Sequence, residues 1–517
     1  MAVFDFIEQN GVGAGFVYKN TAQGYYFDGS SFNQITDDDY PGMIPVTSIT
    51  RSGTTATVTS TTTHGLVTGD TVIMSGATET DYNIEATVTV TSTTTFTYEV
   101  ANSPTTPATG SPIGNQVGSS VRGIVYLDGT YYVMTPSGAI QGSELEDPTD
   151  WSALNVIQSR MEPDAGVCLA RQLNLIVAFS EYSTEFFYNA GNPTGSPLLP
   201  FPSAFFEVGC AVAESVATIE NVIYFMGVSK AKGRSVYQLD GTTPNMVSNP
   251  AIDRILNSSN LSDVSSYAIK MSGHGLYILT LRDIGITLVY DYTTDQWGQW
   301  TELTLGSTQA ITAATWSLGL ATATVTGHGL VDGAYCTIAS SDPSAYDGDY
   351  VINVIDDDTF TFEIASDPGT YVGSATVATY TESYFNMGSY TSGGGFDLVQ
   401  DSTTGFIYAL DTGVYLDDTS PIRFSIRTPK FDGGDNTNKL FSRAEIIGDK
   451  VTGTSYLRYS NDDYQTWSNY RPLDMSLNRT KLDRLGRGRR RAFEMINYDN
   501  QPIRVEALEV TINGGTS

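Results

Sequence analysis

Short runs of alternating apolar and polar residues, separated by glycine, asparagine or proline, fill most of the chain. Apolar residues recur at every second position from Leu173 to Phe179, which is the period of a half-buried β-strand. An aromatic segment at 185–188 and apolar segments at 222–227 and 235–239 follow, each ending in a turn that contains glycine. The stretch from 171 to 255 therefore predicts antiparallel strands joined by tight turns.

One short helix is predicted at the end of this stretch. Asn249 can cap it, and Pro250 suits its first turn. Ile252, Ile255 and Leu256 fall on one face of the helix, so this face is expected to be buried.

Units of an aromatic strand, a glycine turn and a second strand recur outside this stretch. They occupy 123–134, 277–290 and 406–416. Such regular spacing favours a β-propeller as the body of the chain, with two stacked β-sandwiches as the alternative. The predicted fold class is therefore all-β with a propeller-like body.

Two threonine-rich segments interrupt the body, and they align with each other. Residues 64–69 (HGLVTG) match 328–333 (HGLVDG), and 95–100 (TFTYEV) match 359–364 (TFTFEI), both at an offset of 328 − 64 = 264 residues. A repeat at one offset predicts two copies of one small β-sandwich or barrel of about 65 residues. We expect both modules to be inserted in loops of the body and to protrude from it.

The predicted division of the chain alternates body and inserted module. Its parts are the start of the body at 1–46, the first module at 47–113, body at 114–308, the second module at 309–382, and the completion of the body, with a basic C-terminal sheet, at 383–517.

Charge is distributed unevenly along the chain. The sequence has 27 basic and 57 acidic residues, so its formal net charge is −30. Residues 421–517 hold 16 Lys and Arg and 12 Asp and Glu, a net of +4, which leaves 27 − 16 = 11 basic and 57 − 12 = 45 acidic residues, a net of −34, in residues 1–420. A chain this acidic is not expected to coat nucleic acid uniformly, and its C-terminal end is electrically distinct.

The cysteines and the apolar segments exclude several classes of protein. Cys168, Cys210 and Cys336 lack the spacing of a disulfide framework or a zinc site, so we expect small buried hydrophobic residues. The first residues lack the regions of a signal peptide, and no apolar run reaches the ~18 residues of a membrane helix. A soluble chain with no membrane segment and no visible export signal is expected.

Histidine and aspartate supply candidate ligands that we interpret as structural. His64 and His328 each precede Gly-Leu at equivalent repeat positions, which favours a hydrogen bond that caps a turn over metal binding or catalysis. His274 has no cysteine, carboxylate pair or second histidine nearby in the sequence. Aspartate runs at 37–39 and 356–358 lack the spacing of a calcium loop, so solvated turns are favoured. No catalytic, cofactor-binding or metal-binding residue is predicted.

Residues 460–467 (SNDDYQTW) resemble the Asp-box of sialidase-like propellers, with Tyr464 where that motif has glycine. In the motif, serine and aspartate tie a β-turn and tryptophan packs beneath it, so the implied role is structural. Glycoside hydrolysis would need paired carboxylates, or a tyrosine nucleophile beside an arginine cluster in a pocket, and no such spacing is present.

Residues 484–491 (RLGRGRRR), here called the arginine loop, carry the strongest chemical signal. The five arginines are Arg484, Arg487, Arg489, Arg490 and Arg491. Guanidinium groups pair with carboxylates or phosphates, and the two glycines permit close approach of the backbone. Three interpretations stay open: a solvated basic loop, a contact with carboxylates of a neighbouring subunit or adaptor ring, and a contact with DNA.

Several segments of the body together resemble one family. They are 179–191 (FSEYSTEFFYNAG), 200–201 (PF), 206–211 (FEVGCA), 214–217 (ESVA), 250–252 (PAI), 273–279 (GHGLYIL) and 290–297 (YDYTTDQW). Their order and spacing are similar to those of the tail hub, or nozzle, proteins of short-tailed bacteriophages, also called packaged DNA stabilisation proteins. The likeness covers about 120–300 well and 385–510 loosely.

The resemblance implies a structural virion protein of the phage tail that is not an enzyme, has no cofactor and is assembled in the host cytoplasm. It implies a homohexameric ring that extends the portal channel, retains packaged DNA and forms the conduit for its ejection. The implied partners are other copies of the chain, the tail adaptor ring below the portal, fibres or a needle or plug, and passing double-stranded DNA. The alternatives are a carbohydrate-binding or sialidase-like propeller enzyme and a receptor-binding tail protein, although the sequence lacks the long stalk of a fibre.

Overall fold

The computed structural model describes residues 5–8, 16–159, 162–434 and 437–514, which are almost entirely β-strands, turns and loops. The chain forms two compact units. The first comprises Met1–Ile284, Leu288–Gly298 and Gly388–Tyr390. The second comprises Gly285–Thr287, Gln299–Met387 and Thr391–Ser517. The all-β class predicted from the sequence is confirmed.

Five antiparallel sheets, here called blades 1 to 5, follow one another in the first unit. Blade 1 contains Asp5–Glu8, Phe16–Lys19, Gly24–Phe27 and Phe32–Gln34. Blade 2 contains Val125–Leu127, Thr130–Met134, Ala139–Glu144 and Asp147–Gln158. Blade 3 contains Gly166–Gln172, Leu175–Ser180, Thr184–Asn189 and Leu198–Phe206. Blade 4 contains Gly209–Cys210, Ala217–Ile219, Val222–Ser229, Gly233–Asp240 and Thr243–Met246. Blade 5 contains Val264–Met271, His274–Leu281, Ile286–Asp291 and the start of Gln296–Ala310.

Aromatic and aliphatic side chains of the central strands join successive blades. Phe179 of blade 3 contacts Phe225 of blade 4 with ring centroids 4.7 Å apart, and Tyr224 of blade 4 stacks on Tyr277 of blade 5 at 5.5 Å. A central blade has a neighbour on both faces, so the strand Leu175–Ser180 is buried on both sides from its second residue onward. The half-buried strand predicted here is therefore wrong in its exposure, and the strand is an inner element of the propeller.

The predicted helix is confirmed as Pro250–Ser258. The Asn249 side chain accepts hydrogen bonds from the N–H groups of Ala251 and Ile252, and Ile252 and Leu256 are buried. Short 3-10 helices occur at Thr80–Tyr82, Ala213–Ser215, Arg282–Ile284 and Ser344–Tyr346.

The two threonine-rich segments have the same order of strands. In the first, one sheet contains Glu85–Thr87, Thr71–Ala77, Gly110–Gln116 and Met43–Ser52, and Met43–Ser52 continues into a second sheet with Thr55–Ser60, Thr95–Glu99 and Thr89–Ser92. In the second, the corresponding sheets contain Gly348–Val351, Tyr335–Ala339, Thr376–Tyr384 and Gln296–Ala310, and Ala313–Ser317, Leu320–Thr324, Thr359–Glu363 and Asn353–Val354.

Equivalent core residues occupy equivalent places in the two copies. Phe96 and Phe360 are both fully buried, and each meets the histidine of its own copy edge to face, at 5.4 Å for His64 and 5.6 Å for His328. Phe96 pairs with Val58, whereas Phe360 pairs with Ala323, so the first hairpin is offset by 323 − 58 = 265 residues. The second copy is therefore one residue shorter between this hairpin and the histidine.

The remaining strands form smaller sheets in the C-terminal part of the chain. One sheet contains Met387–Gly393, Phe396–Asp401 and Ile407–Leu410, and Leu416–Asp417 pairs with Ser420–Pro421. Two further sheets contain Phe424–Arg427, Ala492–Asn497, Thr454–Ser460 and Arg471–Asp474, and Lys481–Asp483, Lys439–Gly448, Arg487–Gly488 and Val505–Gly514. The latter two sheets enclose one hydrophobic core, which includes Phe441, Leu457 and Phe493.

The second module packs against these C-terminal sheets. Tyr335 of the module stacks on Tyr498 with ring centroids 4.0 Å apart, and Asn353 Oδ1 accepts a hydrogen bond from the N–H of Tyr470 at 3.1 Å. The expectation that both modules hang free from loops is therefore wrong for the second module. The exact residue bounds of the predicted domains stay a prediction.

Candidate functional site

The arginine loop leaves the strand Lys481–Asp483, pairs briefly with Lys439–Gly448 through Arg487–Gly488, and enters the strand Ala492–Asn497. Four of its arginines are exposed to solvent, namely Arg484, Arg487, Arg489 and Arg490. Gly486 adopts a positive φ of 78°, and a Cβ on Gly488 would lie 2.6 Å from Asn461 Oδ1. Both glycines therefore serve the local fold, because one shapes the turn and the other admits a neighbouring side chain.

Arg491 differs from the other four, because it is only 1% exposed. Its guanidinium lies between the rings of Tyr459 and Phe441, 3.9 and 4.2 Å from their centroids. Its Nε donates to Asn461 Oδ1 at 2.9 Å, and Nη1 donates to the Leu485 carbonyl at 2.7 Å. Burial lowers the pKa of Arg491 to about 10. The expectation that Arg491 faces a partner is corrected here: its side chain holds the loop onto its own sheets.

The exposed arginines have little charge compensation within the described part of the chain. Arg490 forms an ion pair with Asp463 at 2.8 Å, and Lys430 contacts the same carboxylate at 3.1 Å. No ion pair to Arg484, Arg487 or Arg489 occurs among the residues that the structure describes. Three guanidinium groups thus remain available to an anionic partner.

Two exposed apolar side chains flank the arginine loop. Phe431 is 47% exposed, and its backbone N–H and carbonyl pair with those of Arg491. Leu440 is 39% exposed and lies opposite Arg487 in the ladder. The loop therefore belongs to a mixed basic and apolar surface, here called the basic face, formed by the four exposed arginines, Phe431 and Leu440.

The Asp-box-like turn lies against this loop and has the structural role expected of it. Ser460 Oγ donates to Asp462 Oδ1 at 2.8 Å and accepts a hydrogen bond from the N–H of Tyr464 at 3.0 Å. Hydrogen bonds from the side chain and N–H of Thr466 lower the pKa of Asp462 to about 2. Because these bonds occupy the carboxylate within its own turn, Asp462 is a turn residue and not a catalytic acid.

A buried carboxylate beneath this surface was missed by the sequence analysis. Glu494 is fully buried, and it accepts hydrogen bonds from Arg427 Nε at 2.6 Å, from Tyr470 Oη at 2.8 Å and from Arg458 Nε. Burial alone would raise the pKa of Glu494, but the hydrogen bonds from Arg427 and Tyr470 and the charge of Arg458 hold it below its ordinary value. The available sequence signal was one glutamate in the otherwise apolar strand Ala492–Asn497.

The turn-capping role predicted for two histidines is confirmed. Nδ1 of His64 accepts from the N–H of Leu66 at 3.0 Å, and Nδ1 of His328 accepts from the N–H of Leu330 at 2.9 Å. His274 does have a carboxylate partner, since its Nδ1 lies 2.7 Å from Asp291 Oδ2. That carboxyl group also accepts from Thr294 and from the N–H of Thr293, so the pair ties one turn.

The other candidate ligands lie in ordinary structural surroundings. All three cysteines are free and buried. The aspartate runs form turns, in which Asp37 Oδ1 accepts from the N–H of Asp39 and Asp356 Oδ1 from that of Asp358. The described residues contain no group of three or more potential metal ligands. None of the helices in the described ranges has the length and hydropathy needed to cross a bilayer.

Two open cavities of about 570 and 500 Å³ share Arg171 as a lining residue in the propeller. The first is lined otherwise by Leu173, Asn174 and Asn221. The second includes Arg122, and neither cavity has a carboxylate or a tyrosine among its described lining residues. These cavities therefore lack the groups that a glycosidase mechanism requires.

Taken together, the fold and the site define a β-propeller protein whose charged surface is suited to binding rather than to covalent chemistry. Residues 8–317 match the model of the phage stabilisation family, which is described as "Bacteriophage P22 Gp10, beta-propeller". The chain therefore belongs to this family, and it is a structural tail protein of a bacteriophage.

No curated protein sequence matches the chain. Among solved structures, the computationally designed Ika8 protein is 10% identical, with a TM-score of 0.27, over 79% of this chain and 96% of its own. An exo-β-1,3-galactanase from Phanerochaete chrysosporium is 10% identical, with a TM-score of 0.21, over 76% of this chain and 95% of its own. Scores this low carry no argument about fold or activity.

Proposed function

We propose that the chain is the tail hub, or nozzle, of a short-tailed phage. Copies of it would form a homohexameric ring that extends the portal channel, retains packaged DNA and conducts it at ejection. Membership of the phage stabilisation family supports this role. The proposed location is the virion tail, after assembly in the host cytoplasm.

The separation of charge within the chain is the observation that carries the proposal. Residues 1–420 have a net charge of −34, while four exposed arginines lie close together near the C-terminal end. An acidic channel wall, repeated in each copy, would repel phosphates and let a duplex slide without adhering. The basic face would bind carboxylates of an adjacent subunit or of the adaptor ring below the portal.

Electron microscopy of the purified chain, alone and with its neighbouring tail proteins, tests the ring. The expected result is a closed ring that stacks on the adaptor and receives fibres or a needle or plug. Virions assembled without the chain should lose their packaged DNA. A chain that stays monomeric in the presence of the adaptor, or virions that keep their DNA without it, would overturn the proposal.

Replacement of the arginines by serine tests the role of the basic face. A single exposed ion pair contributes about 0 to 1 kcal/mol, so the fourfold variant Arg484→Ser, Arg487→Ser, Arg489→Ser, Arg490→Ser should weaken assembly on the order of 100-fold. Added salt should weaken the native ring in the same direction. The matched control removes four other exposed cations, by replacement of Lys450, Arg479, Lys481 and Arg504 with serine.

The two anionic partners give different outcomes in this experiment. Weaker assembly of the fourfold variant, with the control unaffected, supports docking on a protein surface. Intact rings that no longer retain DNA would assign the arginines to phosphates in the channel. Normal assembly at both low and high salt would show that the basic face does not contribute to docking.

A further inference from the structure

One strand edge of the C-terminal part differs from the outer edges of the propeller blades. The sheet with Phe396–Asp401 and Ile407–Leu410 has three strands, whereas the blades have four or five. Ile407–Leu410 is its last strand, and no described residue pairs with the far side of that strand. The backbone groups on this side are open to an added strand.

The outer strands of the blades are protected, and this one is not. The last strands of blades 2, 3 and 4 contain Pro148, Pro200 and Pro244 respectively. The outer strand of blade 5, Gln296–Ala310, pairs along most of its length with Thr376–Tyr384. Proline and cover are the usual protection of a strand edge, but Ile407–Leu410 contains neither a proline nor a charged residue.

The geometry of the ladder identifies the open groups. The N–H of Asp401 donates to the Phe406 carbonyl at 2.9 Å, so these residues form a hydrogen-bonded pair. Antiparallel pairs alternate, and Tyr408 and Leu410 therefore also direct their backbone groups to the partner strand. Ile407 and Ala409 direct theirs to the open side.

An exposed apolar strip accompanies this edge. Phe406 is 64% and Ile407 66% exposed, and three more exposed side chains lie in the same C-terminal segment, Phe396, Val414 and Ile422. Single exposed apolar residues are common on protein surfaces, but a group of them along an open strand edge is typical of a binding surface.

Carboxylates flank the same strand. Partial burial and the charges of Asp401, Asp418, Asp417 and Glu302 raise the pKa of Tyr408, which places these four groups around the strand. Burial and the charges of Asp418 and Asp401 also raise the pKa of Asp417. Among the described residues, none of the four carboxylates forms an ion pair with a lysine or arginine. This surface, here called the acidic edge, is complementary in charge to the basic face.

We infer that the acidic edge is the docking surface for the basic face of a second copy of this chain. Each surface combines exposed apolar side chains with one sign of charge, Phe406 and Ile407 with carboxylates on one, and Phe431 and Leu440 with arginines on the other. Because the two surfaces are different, the contact is head-to-tail, and repetition of it generates a ring or a filament. The inference deepens the proposed function by naming the carboxylates that receive the arginines.

Charge neutralisation in the full-length chain tests the contact. Asp417→Asn with Asp418→Asn, and separately Arg487→Gln with Arg489→Gln, should each weaken self-association about tenfold or more, as measured by sedimentation velocity over a range of concentrations. Asparagine tolerates the positive φ of 53° at Asp418. The combined variant should lose less than the product of the two losses, because each change removes the same contact.

A matched control separates this contact from the effect of net charge. Glu85→Gln with Glu144→Gln changes the charge equally at two exposed positions elsewhere and should leave association unchanged. Equal weakening by the control, or a strictly multiplicative combined variant, would overturn the inference. So would a native chain that stays monomeric at every concentration.

The strand edge is tested independently of the charges. Ala409→Pro removes an outward N–H without breaking the ladder, and Ile407→Lys blocks the edge by another route should the proline variant fail to fold. Both should weaken association about tenfold, whereas Leu154→Lys, at a 78% exposed position on the last strand of blade 2, should not. Amide exchange at Ile407 and Ala409 should slow on association.

Unchanged association and unchanged exchange at this strand would overturn the inference. These outcomes are distinguishable from failure of the proposed function. Virions that retain DNA without the chain would refute the tail role while leaving the contact between copies intact.

Discussion

Tyr335 of the second module lies flat against Tyr498 of the C-terminal sheets, with ring centroids 4.0 Å apart and planes at 5° to each other. Val351, which pairs with Tyr335 in the module, is buried in the same cluster with Tyr470, and Asn353 accepts the Tyr470 N–H. The first module has threonine at the three corresponding positions, 264 residues earlier, namely Thr71, Thr87 and Thr89. The docking of one copy and not the other is therefore encoded where the repeats differ.

Conversion of these three positions should release the second module without unfolding it. The variant Tyr335→Thr, Val351→Thr, Asn353→Thr reproduces the residues with which the first copy folds, while the C-terminal sheets lose about 2 to 5 kcal/mol of stability because an aromatic contact is removed. Hydrogen exchange should accelerate in Arg471–Asp474 and Ala492–Asn497 and stay slow in Leu320–Thr324. The control is Asp357→Thr, at an exposed position of the same module. Unchanged exchange in the C-terminal sheets would contradict the prediction.

Removal of the first module should leave a soluble body. Ile113 pairs directly with Pro45, so deletion of residues 47–112 with a short glycine and serine bridge joins chain ends that are already adjacent. Loop closure costs only about 0.6 kcal/mol per doubling of length. Circular dichroism and soluble yield should match those of the full chain.

The second module provides the comparison for this deletion. Ala310 pairs with Thr376, so removal of residues 311–375 is equally simple to close. That deletion uncovers Tyr470 and Tyr498 and should therefore reduce solubility. Equal behaviour of the two deletions would show that the aromatic contact contributes little.

Local and repeated features of this fold were predictable from the sequence. The helix cap at Asn249 and the histidine caps at His64 and His328 depend on neighbours within three residues, and the structure confirms them. The repeat and the all-β class were readable because each recurs many times along the chain. Such features need no knowledge of which elements meet in space.

Features that depend on distant neighbours were not predictable. Burial of both faces of Leu175–Ser180 requires a blade on either side, and the burial of Arg491 requires two aromatic rings, Tyr459 and Phe441, from other strands. A run of arginines reads as one exposed cation in sequence, although one of the five became part of the core. The partners of Glu494 lie up to 494 − 427 = 67 residues away, so a single buried carboxylate gave no pattern to recognise.

Replacement of Arg491 should weaken the fold, whereas replacement of its neighbour should not. Arg491→Met leaves the Leu485 carbonyl and Asn461 without their donor and should cost about 2 to 4 kcal/mol, measured as a lower midpoint in thermal unfolding. Arg490→Met removes an exposed ion pair and should cost at most about 1 kcal/mol. Arg491→Lys should not rescue stability, because lysine lacks the planar group that stacks between the two rings. Similar midpoints for the Arg490 and Arg491 variants would refute a structural role for Arg491.

Glu494 should make the C-terminal sheets sensitive to acid. The pKa of its carboxyl group is held below the ordinary value in the folded chain, so its contribution to stability is fully present above that ordinary value and is lost as the pH falls through the folded pKa. At neutral pH, Glu494→Gln leaves the charge of Arg458, which is 12% exposed, without its partner and should cost about 3 to 5 kcal/mol.

The pH profile separates this role from simple loss of packing. Below the ordinary glutamate range, the native carboxyl group becomes protonated and the difference between the native chain and the Glu494→Gln variant should shrink, because neither then carries the charge. Glu509→Gln, at a half-exposed carboxylate that pairs with Arg479 at 3.8 Å, should change stability by less than about 1 kcal/mol at any pH. Thermal unfolding followed from neutral to acidic pH measures all three proteins. A constant difference between the native chain and the Glu494→Gln variant across this range would show that the ionised carboxylate is not what the two arginines require.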